Sequence, residues 1–216
     1  MPARLHVGAK ELKGDLGAYA KRFDLLELRG LDAANLRLAP NAATLRRWRR
    51  SAPPHFEFSV VAGPNLARLK PNAEHDTELK WLLEAATLLE SRVLVVATPA
   101  DVTPSKLWRD RLASLVDRLP RDARAIVWEP SGLWEVDDAA RVGAQMGVVV
   151  AVDPSRDQVP RGDVAYGRLR ALGGTRAYSR AALERVAVNI GERKDAYVVF
   201  ETTGALTEAK ALRGIF

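Results

Sequence analysis

The chain has 216 residues, of which 47% are apolar and 28% charged, carries a net charge of +6, and contains no cysteine. That composition is ordinary for a globular protein in water, and it excludes a disulfide framework, a thiolate metal site and a cysteine nucleophile. No apolar run approaches the roughly 20 residues a membrane helix needs, so no membrane partner is expected. The opening Met1-Pro-Ala-Arg-Leu-His-Val7 shows no basic region followed by a long apolar segment, so no signal peptide and a cytoplasmic location are expected.

Strand and helix patterns alternate along the chain. Leu5-His-Val7 reads as a first strand, and Leu12, Leu16, Tyr19 and Phe23 then recur at helical spacing. Leu25 to Leu28 reads as a second strand, and Asn41 as the N-cap of a helix carrying Leu45 and Trp48. Phe56 to Ala62 is a third strand. It precedes a helix capped by Asp76, with an apolar stripe of Leu79, Leu82, Leu83, Ala86 and Leu89. Val93 to Ala97 is apolar throughout, as in a strand buried on both faces. Thr103-Pro104 predicts a cap followed by proline at the first helical position, ahead of Trp108, Leu112, Leu115 and Leu119.

The fifth strand lies in Ala125-Ile-Val-Trp-Glu-Pro-Ser-Gly-Leu-Trp134, where an apolar run rises to Glu129 and is broken at once. A helix over Ala139, Val142 and Met146 follows. Val148 to Val152 is the sixth strand, ending at Asp153-Pro154, and Val164-Ala-Tyr-Gly-Arg-Leu169 the seventh. Ser179 caps a helix carrying Leu183, Val186 and Ile190. Ala196 to Phe200 is the eighth strand, and Leu206 to Leu212 a closing helix.

Eight strands alternating with helices predict an α/β fold: a single (β/α)8 TIM-barrel-like domain over residues 1–216, its closed sheet mostly parallel. A doubly wound open sheet would bring a glycine-rich first turn, and Val7-Gly-Ala-Lys10 lacks the G-x-G-x-x-G pattern.

In such a barrel the site lies at the C-terminal ends of the strands. The polar residues expected there are Lys10, Glu27, Arg29, Ser59, Thr98, Glu129, Asp153, Arg168, Arg170, Glu201 and Thr202, with Trp134 beside them as a stacking surface. Glu129 and Glu27 are the candidate catalytic acids, where burial and mutual repulsion would raise one pKa. Lys10, Arg29, Trp134, Asp153, Arg168, Arg170 and Glu201 are the candidate ligand contacts. The carboxylates are also suited to Mg²⁺ or Mn²⁺. The competing expectation is structural pairing, Glu27 with Arg29 or Lys10 and Glu129 with Arg168, because buried charges need partners.

His6, His55 and His75 are scattered, which argues against zinc, and no G-x-S-x-G, H-E-x-x-H or Walker A pattern is present. No cofactor and no oligomeric state is assigned. The loop Arg170-Ala-Leu-Gly-Gly-Thr-Arg176 follows the seventh strand, where barrels often bind phosphate; Gly173, Gly174 and Arg176 suit either an anion cradle or a plain turn. The basic residues are 25 Arg against 8 Lys, with the densest run at Arg46-Arg-Trp-Arg-Arg50. That run reads first as the solvated face of a helix and second as a nucleic-acid contact.

The order of these landmarks resembles the DUF72 (YecE-like) family of uncharacterised TIM-barrel-like proteins. Val7-Gly8 matches the family's opening V-G, Glu27 its second-strand Glu, and Phe56-Glu-Phe-Ser59 its F-x-F-S. Val93 to Pro99 matches its apolar fourth strand, Glu129 to Trp134 its fifth-strand Glu and following S-W, Arg168-Leu169 its R-L, and Val198-Val-Phe200 its last strand. The chain departs from the pattern where Val61 replaces Lys, Ser131 replaces Arg, Arg170 replaces His, and Glu201-Thr202 replaces paired Asn. The resemblance therefore implies a divergent DUF72 member whose family carries no assigned activity. The expected function is binding of a phosphate-bearing or otherwise anionic small ligand at the barrel mouth, with hydrolase or lyase chemistry as an extension. The alternative is a non-catalytic nucleic-acid-binding protein using its arginine-rich surface, and a third reading is a degenerate barrel kept for protein contacts.

Overall fold

The computed structural model describes residues 3–10, 12, 14–33, 39–170 and 177–216. In chain order its elements are β1 (Arg4–Ala9), α1 (Leu16–Ala20), β2 (Leu25–Leu28), α2 (Ala42–Ser51), β3 (Glu57–Val61), α3 (Pro64–Ala67), α4 (Ala73–Leu89) and β4 (Val93–Ala97). They continue with α5 (Lys106–Val116), β5 (Ala125–Glu129), α6 (Val136–Met146), β6 (Val149–Val150), β7 (Val164–Leu169), α7 (Arg180–Ile190), β8 (Asp195–Phe200) and α8 (Ala205–Arg213). Two compact units divide them: Met1–Glu27, Ala52–Glu57 and Val150–Phe216 in one, Leu28–Ser51 and Phe58–Val149 in the other.

In the first unit the strand order is β2-β1-β8-β7. All three pairings are parallel, and the register sets Ala9 of β1 beside Phe200 of β8 and Phe200 beside Leu169 of β7. The residues that follow these three strand ends, Lys10, Glu201 and Arg170, therefore leave the sheet side by side. Every residue of β8 is buried, which explains its run of Val, Tyr and Phe with no alternation. The approach of β1 to β2 requires glycine at position 8, where a Cβ would stand 2.4 Å from the Leu25 carbonyl oxygen.

In the second unit the order is β6-β5-β4-β3, with β4 parallel to both β3 and β5. The helix α4 turns Leu79, Leu82, Ala85, Ala86 and Leu89 inward. Leu82 and Leu89 are wholly buried, each burial contributing about 1.5–3 kcal/mol.

Several local expectations change. β1 extends to Arg4 and Ala9 because β8 supplies a partner along its whole length. The helix expected over Leu12 to Phe23 shrinks to Leu16–Ala20: Gly14 sits at φ +80°, outside the helical region, and Asp15 caps the turn after it. Asn72, not Asp76, caps α4, its side chain accepting from the His75 amide at 2.7 Å. Asp76 lies in the first turn and pairs with Arg118 instead. The Thr103-Pro104 start gives way to Ser105 as the cap of α5, because the Ser105 amide closes a tight turn onto the Thr103 carbonyl. β6 is two residues long rather than five; beyond it Val152 makes a single parallel bridge to Gly167 before the turn at Asp153. Asn41 and Ser179 cap α2 and α7 as expected.

Candidate functional site: a charged cluster at the ends of β1, β2, β7 and β8

Two residues apart on one strand means one face, so Tyr166 and Arg168 of β7 project together. Both reach Glu27 at the end of β2. Arg168 donates from its two terminal nitrogens to the two Glu27 carboxylate oxygens at 2.9 and 2.6 Å, and the Tyr166 hydroxyl donates to Oε2 at 2.6 Å. The Glu27 side chain is 0% exposed and that of Arg168 2%, so this is a bidentate ion pair out of water. Such pairs lose heavily when one partner is removed.

Arg168 also holds Glu201, from Nη1 to Oε1 at 2.8 Å. On the other oxygen of Glu201 converge Lys10 Nζ at 3.2 Å and Arg170 Nε at 3.5 Å. Backbone bonds fix these positions, the Lys10 amide donating to the Phe200 carbonyl and the Glu201 amide to that of Leu169. Burial would raise the Glu201 pKa, but the charges of Arg168, Arg170 and Lys10 override it and hold the carboxyl at about 2. Glu201 is thus an anion at any physiological pH. The side chains of Lys10 and Arg170 are about half exposed.

Asp153 stands next to the cluster. Its Oδ1 accepts from the Ser155 amide and hydroxyl at 2.9 and 2.6 Å, and its Oδ2 lies 3.1 Å from the Tyr178 hydroxyl. The same hydroxyl is 2.7 Å from the Arg170 carbonyl oxygen. Tyr178 therefore ties Asp153 to the backbone that carries Arg170. Burial first, and then the Asp153 charge, pushes its phenol above the ordinary value. Beside Lys10 and Glu201 opens a cavity of about 350 Å³, running between α1 and the first turn of α8.

In the second unit, Glu129 ends β5 and is 7% exposed. Its carbonyl accepts from the Thr98 amide at 2.9 Å, and Ser131 Oγ donates back to the Thr98 carbonyl at 2.7 Å. Gly132, at φ +73°, closes this turn tightly against Ala100. Trp128 donates to Thr98 Oγ1 at 3.0 Å; Trp134 donates to the Val102 carbonyl at 2.7 Å and packs edge-on against Trp128 with centroids 4.7 Å apart. The Trp134 indole N–H is thus committed to the protein. Arg29 follows β2 and is exposed. On α2, Leu45 is buried and Arg46, Arg47 and Arg50 face solvent, while Arg49 lies over Phe58 and 4.0 Å from Glu90.

The structure brings together five of the expected residues, Lys10, Glu27, Arg168, Arg170 and Glu201, and sets Asp153 beside them through Tyr178. Glu129, Arg29 and Trp134 belong to the second unit. Among its described partners Glu27 has Arg168 and Tyr166, and Lys10 has Glu201. Gly173, Gly174 and Arg176 lie outside the described residues. Among the described residues no group of three or more His, Asp or Glu is placed to hold a metal. Sequence reasoning missed Tyr166 and Tyr178. The first was detectable from its position two residues before Arg168; the second meets Asp153 across 25 residues and left no local signal.

A family model described as a protein of unknown function, DUF72, matches residues 6–215. The chain belongs to the DUF72 family. Among solved structures it is similar to a DUF72 family protein from Enterococcus faecalis V583, with TM-score 0.70 and 14% identity over 98% of this chain and 94% of that one. It is also similar to a xylose isomerase domain containing protein from Salmonella typhimurium LT2, with TM-score 0.62 and 16% identity over 93% and 89%. A third is a phosphoribosyl anthranilate isomerase in complex with reduced 1-(o-carboxyphenylamino)-1-deoxyribulose 5-phosphate, with TM-score 0.51 and 13% identity over 99% and 100%. At these identities the likeness establishes the fold, which is the eight-stranded parallel α/β architecture of TIM-barrel proteins. No curated protein matches the chain by sequence. No helix among the described residues is long and apolar enough to cross a membrane.

Proposed function

We propose that this DUF72 chain binds a small anionic, phosphate-bearing ligand at the ends of β1, β7 and β8, with Lys10 and Arg170 as the contacting cations. The observation that carries the reading is the convergence of these two half-exposed cations on one oxygen of Glu201 while Arg168 holds the other. A carboxylate so placed gathers both side chains at one point. An incoming phosphate competes with Glu201 for these gathered donors and offers them a bidentate partner. The position agrees with the general habit of barrels to take phosphate beside the last two strands, and the phosphoribosyl anthranilate isomerase of like fold was solved with a 5-phosphate compound.

Glu27 serves this reading by holding Arg168, since both its oxygens are engaged by arginine. Glu201, with its pKa near 2, is a poor proton donor at neutral pH. The test is thermal unfolding with inorganic phosphate for the wild type and for Lys10→Gln/Arg170→Gln. Ligands that bind the native state raise its melting temperature. The rise is expected in the wild type and lost in the double variant; an equal rise in both would place the anion elsewhere and end this reading.

A further inference from the structure

We infer that the cavity between α1 and α8 takes the organic part of that ligand, and that the ligand is a small amphiphilic anion: one phosphate or carboxylate head on an apolar body about one ring in size. The inference rests on the anion-binding reading and extends it to the rest of the molecule bound.

The volume of about 350 Å³ sits at the low end of small-molecule sites, enough for one ring and its head. The side chains that close the cavity are aromatic or aliphatic on one side, with Tyr19, Phe23, Phe200 and Leu206. Tyr19 and Phe23 stack on each other with centroids 4.7 Å apart. The Tyr19 hydroxyl is already spent on the backbone, accepting from the Ala9 amide and donating to the Leu25 carbonyl, each at 2.8 Å. What Tyr19 offers the cavity is therefore its ring. Thr202, also on the wall, gives its hydroxyl to Glu208. The other polar residues on the wall are Thr203, the charged Lys10 and Glu201 that follow β1 and β8, and Arg22 two residues past α1.

A neutral sugar suits the Tyr19, Phe23, Phe200 and Leu206 side of the cavity poorly. Each buried hydroxyl would need a partner, and an unpaired polar group loses on burial. An apolar body gains instead from leaving water, and flat rings pair well with aromatic walls. One anionic end pairs with Lys10, whose half-exposed side chain lines the cavity, in exchange for its bond to Glu201.

The experiment is isothermal titration calorimetry of the full chain with inorganic phosphate, glycerol phosphate, phenyl phosphate and benzoate. Phenyl phosphate is expected to bind roughly ten- to a hundredfold tighter than inorganic or glycerol phosphate, the gain one buried ring implies. Its heat-capacity change should also be the more negative, as burial of apolar surface requires. The stronger of phenyl phosphate and benzoate identifies the head, and either order supports the inference provided that ligand outbinds inorganic phosphate. Leu206→Trp, at a half-buried position, fills the cavity and should bring phenyl phosphate down to the level of inorganic phosphate, leaving the latter unchanged. The heat-capacity comparison needs no variant and stands if Leu206→Trp fails to fold. Equal affinities for all the phosphates in the wild type would overturn the inference and leave the anion site standing. Binding of none of them would remove both.

Discussion

Replacing Arg168 by Met removes the two bonds to Glu27 and the one to Glu201 while keeping most of the side-chain volume. Glu27, 0% exposed, then keeps the Tyr166 hydroxyl but loses its bidentate cationic partner. Breaking a buried pair by deleting one partner costs about 3–5 kcal/mol. For a chain of this length each kcal/mol moves the melting temperature by about 2–4 °C, so a fall of roughly 6–20 °C is expected. The assays are thermal unfolding followed by far-ultraviolet circular dichroism, which reads that fall, and urea unfolding, with the midpoint lowered and the slope unchanged. The double variant Glu27→Leu/Arg168→Met removes both charges and should recover most of the loss, since apolar residues of similar size often replace a buried pair without cost. Glu201 retains Lys10 and Arg170 in either variant. If Arg168→Met costs less than about 1 kcal/mol, or if the double variant is no more stable than the single, the pair is not the buried anchor described above.

Two pH effects accompany this. Glu201, held near 2 in the fold against an ordinary value of 4.5, contributes stability that is complete above pH 4.5 and lost as pH falls toward 2. The contribution is about 3 kcal/mol at most, and Glu201→Gln should flatten acid unfolding in that window. His6 behaves alike at higher pH. It stacks on Tyr197 at 4.8 Å, its buried Nε2 has no hydrogen-bond partner among the described residues, and burial outweighs Glu57, Asp24 and Asp195 to lower its pKa below 6.5. The fold therefore prefers the neutral ring, and stability should decline as pH drops below 6.5; titration of the His6 ring protons by NMR should give a midpoint under that value, and a midpoint above it would contradict the assignment.

The parts of the fold that were readable were those with a purely local cause. Val93 to Ala97 declares a buried strand because nothing in it is polar, and Asn41 and Ser179 declare caps because each precedes an apolar helical stripe. Where two residues offered the same chemistry, the choice was hidden: Asn72 and Asp76 both suit a cap, and only the path of the chain decides. Gly14 ended the helical pattern before Leu16 through its backbone angle, which residue spacing does not reveal. At the site, Lys10, Glu27, Arg168, Arg170 and Glu201 were each readable as polar residues at strand ends. Their pairing was not, because Glu27 and Arg168 meet across 141 residues, and that meeting depends on the register of β1, β8 and β7.

The central claim is that Lys10 and Arg170 are cations poised for an anion with Glu201 as their resident counter-charge, and calorimetric titration of Glu201→Gln with inorganic phosphate tests it most directly. Removing one negative charge roughly 6 Å from the bound anion should strengthen binding by about 1–3 kcal/mol, that is, about five- to a hundredfold over the wild type. Binding that is unchanged or weaker in Glu201→Gln would contradict the claim and leave the cluster a purely structural network.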